Sequence, residues 1–112
     1  QDEKKRVTIM CQNYKQVFYI DEIRYLESNA HRTIILTLGN EYVCYEKISE
    51  LEKKMGDSFV RCHQSFLVNM KYIRRIGNKS FILENGEEVS ISKRRYSETQ
   101  EQYYRYSDEV MM

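Results

Sequence analysis

The chain contains no proline, and only four glycines occur among its 112 residues. These absences exclude collagen-like, proline-rich and flexible-linker proteins, whose compositions depend on those residue types. No apolar run approaches the roughly 20 residues that a membrane-spanning helix needs. The chain is also too short for a TIM barrel, which takes about 250 residues. A hydrophobic content of 41% is nevertheless enough to build the core of one domain.

Cysteine and histidine are scarce, with three and two copies. Cys11, Cys44 and Cys62 are far apart and form no Cys-x-x-Cys pair, so we expect reduced thiols in a cytoplasmic protein. Cys62 and His63 are adjacent, but neighbours on a strand point to opposite faces, which argues against a nucleophile with its base. No spacing suits a zinc site. We therefore predict no enzyme, no metal and no cofactor.

The N-terminal residues 1–6 are polar and lack the apolar segment of a signal peptide. The sequence begins with Gln1 rather than methionine, so we expect a piece of a longer protein.

Short β-like runs separated by small polar breaks dominate the sequence. They cover residues 7–11, 17–20, 24–28, 33–38, 42–45, 59–63, 66–68, 72–76, 81–83 and 89–91. In the clearest run, Ile34, Leu36 and Leu38 share one face of the predicted strand. Asn85 and Gly86 predict a type I′ hairpin turn, which needs positive φ at both central residues.

One internal segment changes to helical spacing. Ile48, Leu51 and Met55 recur at that spacing, Ser49 is a candidate cap, and Gly56 is a stop signal. From Arg94 onward the sequence is polar, rich in tyrosine and free of glycine, which indicates either a helix or a partly ordered tail. The sequence thus predicts a mainly β domain with one short internal helix.

The charges almost cancel, since 18 basic residues oppose 17 acidic ones for a net +1. That total speaks against a nucleic-acid binder, which is usually strongly basic. The distribution is less even, because 97–112 holds four acids and one arginine for −3, which leaves +4 on 1–96. No acid occurs in 58–83, whereas five bases do: Arg61, Lys71, Arg74, Arg75 and Lys79. A polyanion partner and a solvated cationic face explain this pattern about equally well.

Polar breaks between the strands supply groups that suit DNA. His31 and Arg32 lie in a predicted loop, from which they can reach base edges or phosphates, although an ordinary exposed histidine is the simpler interpretation. Gln64 breaks another β-like run and can pair with adenine, or it is merely a turn residue. The ten tyrosines could stack on single strands, but most lie in strand patterns. We expect three of them to dock the tail onto the domain: Tyr103, Tyr104 and Tyr106.

The segment 58–73, SFVRCHQSFLVNMKYI, closely resembles the signature of the LytTR DNA-binding family. The resemblance extends upstream through IRYLES at 23–28 and LEKKM at 51–55, and downstream through NGEEVSIS at 85–92 and the basic triplet. It covers about 7–96 in the order of the family. We accordingly divide the chain into a LytTR-like DNA-binding domain, 1–96, and an acidic, tyrosine-rich tail, 97–112.

The resemblance implies about ten short, mostly antiparallel strands in stacked sheets. It also implies the output domain of a bacterial two-component response regulator, a transcriptional regulator with an N-terminal receiver domain. Such domains bind double-stranded promoter DNA as paired copies on direct repeats, inserting loops into successive major grooves. We expect no membrane partner.

By position, His31 and Arg32 fall in the first base-reading loop of the family and Gln64 in the turn that supplies the second. Lys93 and Arg94 fall at a contact after the last strand. Many members carry arginine or lysine at the position of Gln64, which bears on the DNA sequence preferred. The alternative from another class is a protein-interaction module without DNA contact, which the acidic tail and the near-neutral charge favour.

Overall fold

The computed structural model describes residues 5–111, with side chains as far as Asp108. The first four residues of the predicted domain and the last residue of the predicted tail lie outside this range. The described residues form ten strands and two α-helices. The strands are β1 (Arg6–Cys11), β2 (Tyr14–Tyr19), β3 (Ile23–Asn29), β4 (Arg32–Thr37), β5 (Glu41–Cys44), β6 (Phe59–His63), β7 (Phe66–Asn69), β8 (Ile73–Ile76), β9 (Ser80–Leu83) and β10 (Glu88–Ser90). The helices are α1 (Ile48–Met55) and α2 (Tyr96–Met111).

The strands form three antiparallel sheets. The central sheet has five strands in the order β5-β4-β3-β7-β6, and it is accompanied by the pair β1-β2 and by a three-stranded sheet, β10-β9-β8. This arrangement confirms the predicted mainly β fold of about ten short antiparallel strands in stacked sheets.

Both faces of the central sheet are buried. Leu26 and Leu67 pack into one core with β1, β2 and α1, whereas the neighbouring residues Tyr25 and Val68 pack into a second core with β8, β9 and β10. This follows from the two-residue period of a strand, which sends successive side chains to opposite faces. Leu38 was predicted to share a strand face, but it lies beyond the end of β4 and is 59% exposed.

Helix α1 matches the predicted span, with one difference at its start. Ile48, Leu51 and Met55 are buried, and Gly56 follows with a φ of 87° that favours glycine. The N-cap residue is Lys47, which makes no side-chain cap bond, so the predicted cap at Ser49 is wrong. Ser49 is exposed within the first turn, two residues after the N-cap position.

The turn between β9 and β10 also differs from the prediction. Only Gly86 has a positive φ, of 93°, and the Gly86 N–H donates to the Leu83 carbonyl at 2.9 Å. Leu83 in turn donates its N–H to the Glu87 carbonyl at 2.8 Å, so three residues connect the strands rather than two. A three-residue hairpin loop commonly consists of a type I turn followed by one residue of positive φ, which here is Gly86. The prediction of a type I′ turn, which needs positive φ at two residues, is therefore wrong.

The C-terminal segment is a helix from Tyr96, which decides between the two predicted alternatives. Tyr96, Tyr103 and Tyr106 pack against the second core, and the Tyr103 ring lies 5.7 Å from that of Phe81. Tyr104 is 49% exposed, so the prediction that it also docks the tail onto the domain is wrong. The division of the chain at residue 96 stays a prediction. No helix in the described part of the chain has the length and apolar character to span a membrane.

Candidate nucleic-acid interface

Three connections meet at one end of the central sheet. β3 runs antiparallel to β4 and β7, so the β3–β4 and β6–β7 connections leave at the same end. The Ser28 N–H donates to the Ser65 carbonyl at 2.8 Å, which ties the two together. Thr33 pairs with Cys44, so the connection from β5 to α1 leaves there as well. Antiparallel pairing thus gathers loops that are far apart in sequence.

The β3–β4 hairpin is tight. Asn29 pairs with Arg32, so only Ala30 and His31 form the connection, and Ala30 has a φ of 60°. Positive φ is uncommon for a residue with a Cβ, and this conformation costs roughly 1–2 kcal/mol. His31 and Arg32 are both exposed at the tip. The strained turn thereby leaves an imidazole and a guanidinium exposed at this end of the sheet.

A groove of about 360 Å³ lies among the three connections. Its lining contains three of the predicted site residues, His31, Arg32 and Gln64, together with Lys47 and Arg61. The remaining lining residues are Ser28, Ala30, Thr33, Tyr45, Glu46, Ile48, Ser49 and Ser65. The structure therefore brings together candidate DNA-contacting residues from two polar breaks that are far apart in the sequence, one with His31 and Arg32 and the other with Gln64.

Arg61 supports the β6–β7 turn from below. Its Nε donates to the His63 carbonyl at 3.1 Å, and its Nη2 donates to the Gln64 carbonyl at 2.7 Å. Its Nη1 lies 2.9 Å from the Glu52 carboxylate of α1, and its side chain is only 14% exposed. Arginine suits this role because its planar fork holds several acceptors at once. Arg61 is thus a positioning residue that fixes the backbone carrying Gln64.

The same turn is closed by His63. Its Nδ1 accepts a hydrogen bond from the Ser65 N–H at 3.0 Å, and its ring lies 5.3 Å from that of Phe66. The adjacent Cys62 thiol is fully buried and donates to the Ser90 carbonyl at 3.4 Å. Burial raises the pKa of Cys62 to about 12. The two side chains therefore serve turn geometry and core packing, and they are not a nucleophile and its base.

The charges of Arg32 and Lys47 in the groove are left available, whereas Arg61 is paired with Glu52. Glu46 is the one described carboxylate of the groove, and the Lys54 ammonium at 3.0 Å and the Met10 N–H at 3.1 Å already occupy it. The side chains of His31, Arg32 and Gln64 make no hydrogen bond or ion pair with other described residues. Unpaired donors beside a neutralised acid can bind an acceptor-rich ligand such as DNA.

Lys93 and Arg94 lie outside this groove. They belong to the 3₁₀ turn Lys93–Arg95 that leads into α2, and Lys93 lines a separate cavity with Lys79. The Ser92 N–H donates to the Cys62 carbonyl at 2.9 Å, which joins this basic turn to the end of β6. The structure thus links Lys93 and Arg94 to the Gln64 turn through the backbone without placing them in one pocket.

Sequence reasoning missed the contributions of Arg61 and Lys47 to the groove. Arg61 had counted only as one base of the acid-free window. Strand alternation places Arg61 on the same face of β6 as His63, and in the structure this face is directed toward α1. That alternation was the one sequence signal that could have indicated the role of Arg61. Lys47 carried none, because its place in the groove depends on the pairing of β4 with β5.

Comparisons with known proteins identify a family and several relatives. The family model described as LytTr DNA-binding domain matches residues 14–103. The transcriptional regulatory protein YpdB of Escherichia coli (strain K12) is 35% identical over 70% of this chain and 35% of its own length. The sensory transduction protein LytT of Bacillus subtilis (strain 168) is 31% identical over 53% of this chain and 27% of its own length. The chain thus spans about a third of the curated relatives it matches.

A solved structure supports the same assignment. The LytTr DNA-binding domain of a methyl-accepting/DNA response regulator from Bacillus cereus superposes with a TM-score of 0.75. It is 26% identical, and the match covers 89% of this chain and 97% of the other. The similarity therefore extends over almost the whole described fold.

Proposed function

Because the chain belongs to the LytTr DNA-binding domain family, we propose that it binds double-stranded promoter DNA sequence-specifically and regulates transcription. The observation that carries this proposal is the cluster of unpaired side chains on connections at one end of the central sheet. A rigid sheet with polar loops at its end can present donors to base edges without a recognition helix.

The residues divide into two roles. His31, Gln64 and Arg94 read base edges, since imidazole, amide and guanidinium groups match the hydrogen-bonding patterns of the major groove. Arg32 and Lys93 neutralise phosphates and set the register of the domain on the duplex. Their exposure and their freedom from described partners support these roles.

In the full-length protein, the domain is the output part of a two-component response regulator behind a receiver domain. Two copies bind direct repeats, and their loops enter successive major grooves. The names of the similar proteins, a transcriptional regulator, a sensory transduction protein and a response regulator, support this context.

Selection of bound duplexes from a random DNA pool tests the proposal. We expect an enriched half-site that recurs at roughly one helical turn, about 10 base pairs. Competition with single-stranded DNA is the control for strand preference. A gel shift that is absent even at low salt would contradict DNA binding. That result would favour a protein-interaction module, for which the outer face of β1-β2 offers the exposed Met10 and Val17.

Gln64→Ala tests direct base reading. A bidentate pair of glutamine with adenine discriminates by about 1–3 kcal/mol, so the variant should lose its preference at one position of the selected site. Repeating the selection with this variant measures the change. An unaltered sequence preference would remove Gln64 from the base-reading residues.

Arg94→Ala tests the contact after β10. If Arg94 pairs with guanine through both nitrogens, its loss weakens binding to the selected site by about 1–3 kcal/mol and leaves binding to random duplex nearly unchanged. Fluorescence anisotropy on both duplexes measures the two affinities. Equal losses on both would reassign Arg94 to a phosphate contact.

A further inference from the structure

A second cavity, of about 520 Å³, lies between the β8–β9 connection and the start of α2. Its described lining consists of Asn78, Lys79, Ile91, Lys93, Tyr96 and Ser97 and includes no carboxylate. The Tyr96 hydroxyl donates to the Gly77 carbonyl at 3.0 Å, which fixes the aromatic wall against the connection. Two lysines therefore flank a cavity of defined shape in which no anionic group opposes them.

A hydrogen-bonded bridge connects this cavity to the β6–β7 turn. The Ile91 N–H donates to the Lys79 carbonyl at 2.8 Å, and the next N–H along the chain, of Ser92, donates to the Cys62 carbonyl at 2.9 Å. Cys62 lies two residues before Gln64, in β6. The cavity and the base-reading turn are consequently held at the same end of the molecule by consecutive backbone bonds.

Neither lysine is used within the described fold. Lys79 and Lys93 are exposed, and their ammonium groups form no ion pair with a described residue. An ammonium group carries three donors and no acceptor, so its natural ligand is an anionic oxygen. Two such groups on one cavity make an anion the fitting occupant.

A cavity at the opposite end of the sheet provides a contrast. It also measures about 520 Å³ and is lined by four lysines, Lys5, Lys53, Lys54 and Lys71, but Asp21 and Asp57 line it too. Three of these four lysines have a carboxylate partner: Lys71 lies 3.7 Å from Asp21, Lys54 lies 3.0 Å from Glu46, and Lys53 lies 3.6 Å from Glu50. Most of the positive charge there is therefore compensated. Lysines alone do not distinguish the two cavities, whereas the missing carboxylates do.

We infer that the cavity beside α2 binds one backbone phosphate of the DNA duplex, held between Lys79 and Lys93. This inference rests on the proposed function and extends its interface to the β8–β9 connection. The lysines act as point charges on the phosphate oxygens, so they contribute affinity and register but no base preference.

The test is the salt dependence of binding by the whole chain. The double variant K79Q/K93Q should bind a random duplex of about two helical turns, roughly 21 base pairs, with a log–log salt slope less steep by about 0.9. The sequence selected from a random pool should stay the same. The matched control is K53Q/K71Q, which removes the same charge at the opposite end and should keep the slope of the unmodified chain.

Two results would overturn the inference. The first is an unchanged slope in K79Q/K93Q; if this variant also loses a chemical-shift response to inorganic phosphate, the cavity is assigned to a free anion. The second is an equal decrease in the control, which would indicate net charge alone. Neither result affects the proposed function, which fails only if the unmodified chain does not bind duplex DNA.

Discussion

The guanidinium of Arg61 shows how a basic residue in a DNA-binding domain can serve the protein rather than the DNA. Its nitrogens donate to the carbonyls of His63 and Gln64 and contact the Glu52 carboxylate. Those bonds fix the turn in the conformation that directs the Gln64 side chain outward. The proposed base reading by Gln64 would therefore depend on a residue that need not contact the duplex.

Arg61→Lys tests this positioning role. A single ammonium cannot reproduce the three-way fork, so we expect the turn to loosen and the preference at the Gln64 position to weaken, with a stability loss of about 1–3 kcal/mol. Selection from a random pool and a salt titration measure preference and slope separately. In the Gln64→Ala background, the same change should have no further effect on preference.

Glu52→Ala is the matched control, because it removes the ion pair and leaves both carbonyl bonds. We expect it to keep the sequence preference. An intact preference in Arg61→Lys would contradict the positioning role, and a salt slope less steep by about 0.9 in the charge-removing variant Arg61→Gln would instead identify Arg61 as a phosphate contact.

At the scale of elements, helix α2 anchors the basic turn that precedes it. The turn Lys93–Arg95 runs directly into α2, and Tyr103 of α2 packs on Phe81 in the second core. An anchored helix limits the motion of the residues immediately before it. The positions of Lys93 and Arg94 thus depend on the packing of Tyr103 against the second core.

Tyr103→Ala should destabilise the domain by about 2 kcal/mol, since it removes a partly buried ring and leaves a gap beside Phe81. The neighbouring Tyr104→Ala is the control, because Tyr104 is 49% exposed and should change stability by no more than about 0.5 kcal/mol. Urea denaturation followed by circular dichroism measures both. Equal losses would show that α2 does not dock through Tyr103.

The elements differ in how well the sequence predicted them. Strand alternation and the spacing of Ile48, Leu51 and Met55 are local signals, and they predicted the β-rich fold and α1. The turn at Asn85 and Gly86 was assigned the wrong type, because the dipeptide alone does not specify a three-residue connection. The groove depends on non-local pairing, so Arg61 and Lys47 became visible only once the sheet was known.

For the whole molecule, a small polar clamp joins the central sheet to the three-stranded sheet. The Glu87 carboxylate pairs with the buried Arg24 and accepts hydrogen bonds from Asn85 at 3.0 Å and from the Tyr25 hydroxyl at 3.3 Å. Burial alone would raise the pKa of Glu87, but the bonds from Asn85 and Arg24 outweigh it and hold the pKa below its ordinary value of 4.5. The clamp therefore needs an ionised carboxylate.

Glu87→Gln should lower the free energy of unfolding at neutral pH by about 1–2 kcal/mol, a value reduced because Glu87 is partly exposed. A depressed folded-state pKa contributes stability above the unfolded value of 4.5, and that contribution disappears as the pH falls further. The difference between the two chains should accordingly shrink below about pH 4.5. Urea denaturation between neutral and acidic pH measures it, and a constant difference would exclude this linkage.

The double-sided burial of the central sheet has a consequence for amide hydrogen exchange. Strands β3, β4 and β7 lie inside the sheet and are covered on both faces, so their amides should exchange only with global unfolding. The hairpin β1-β2 lies in a separate two-stranded sheet, and its amides can exchange through smaller, local openings. Three of the four strands that flank the His31 and Gln64 connections, β3, β4 and β7, should thus be the slowest to open, which keeps those connections in register while the periphery fluctuates.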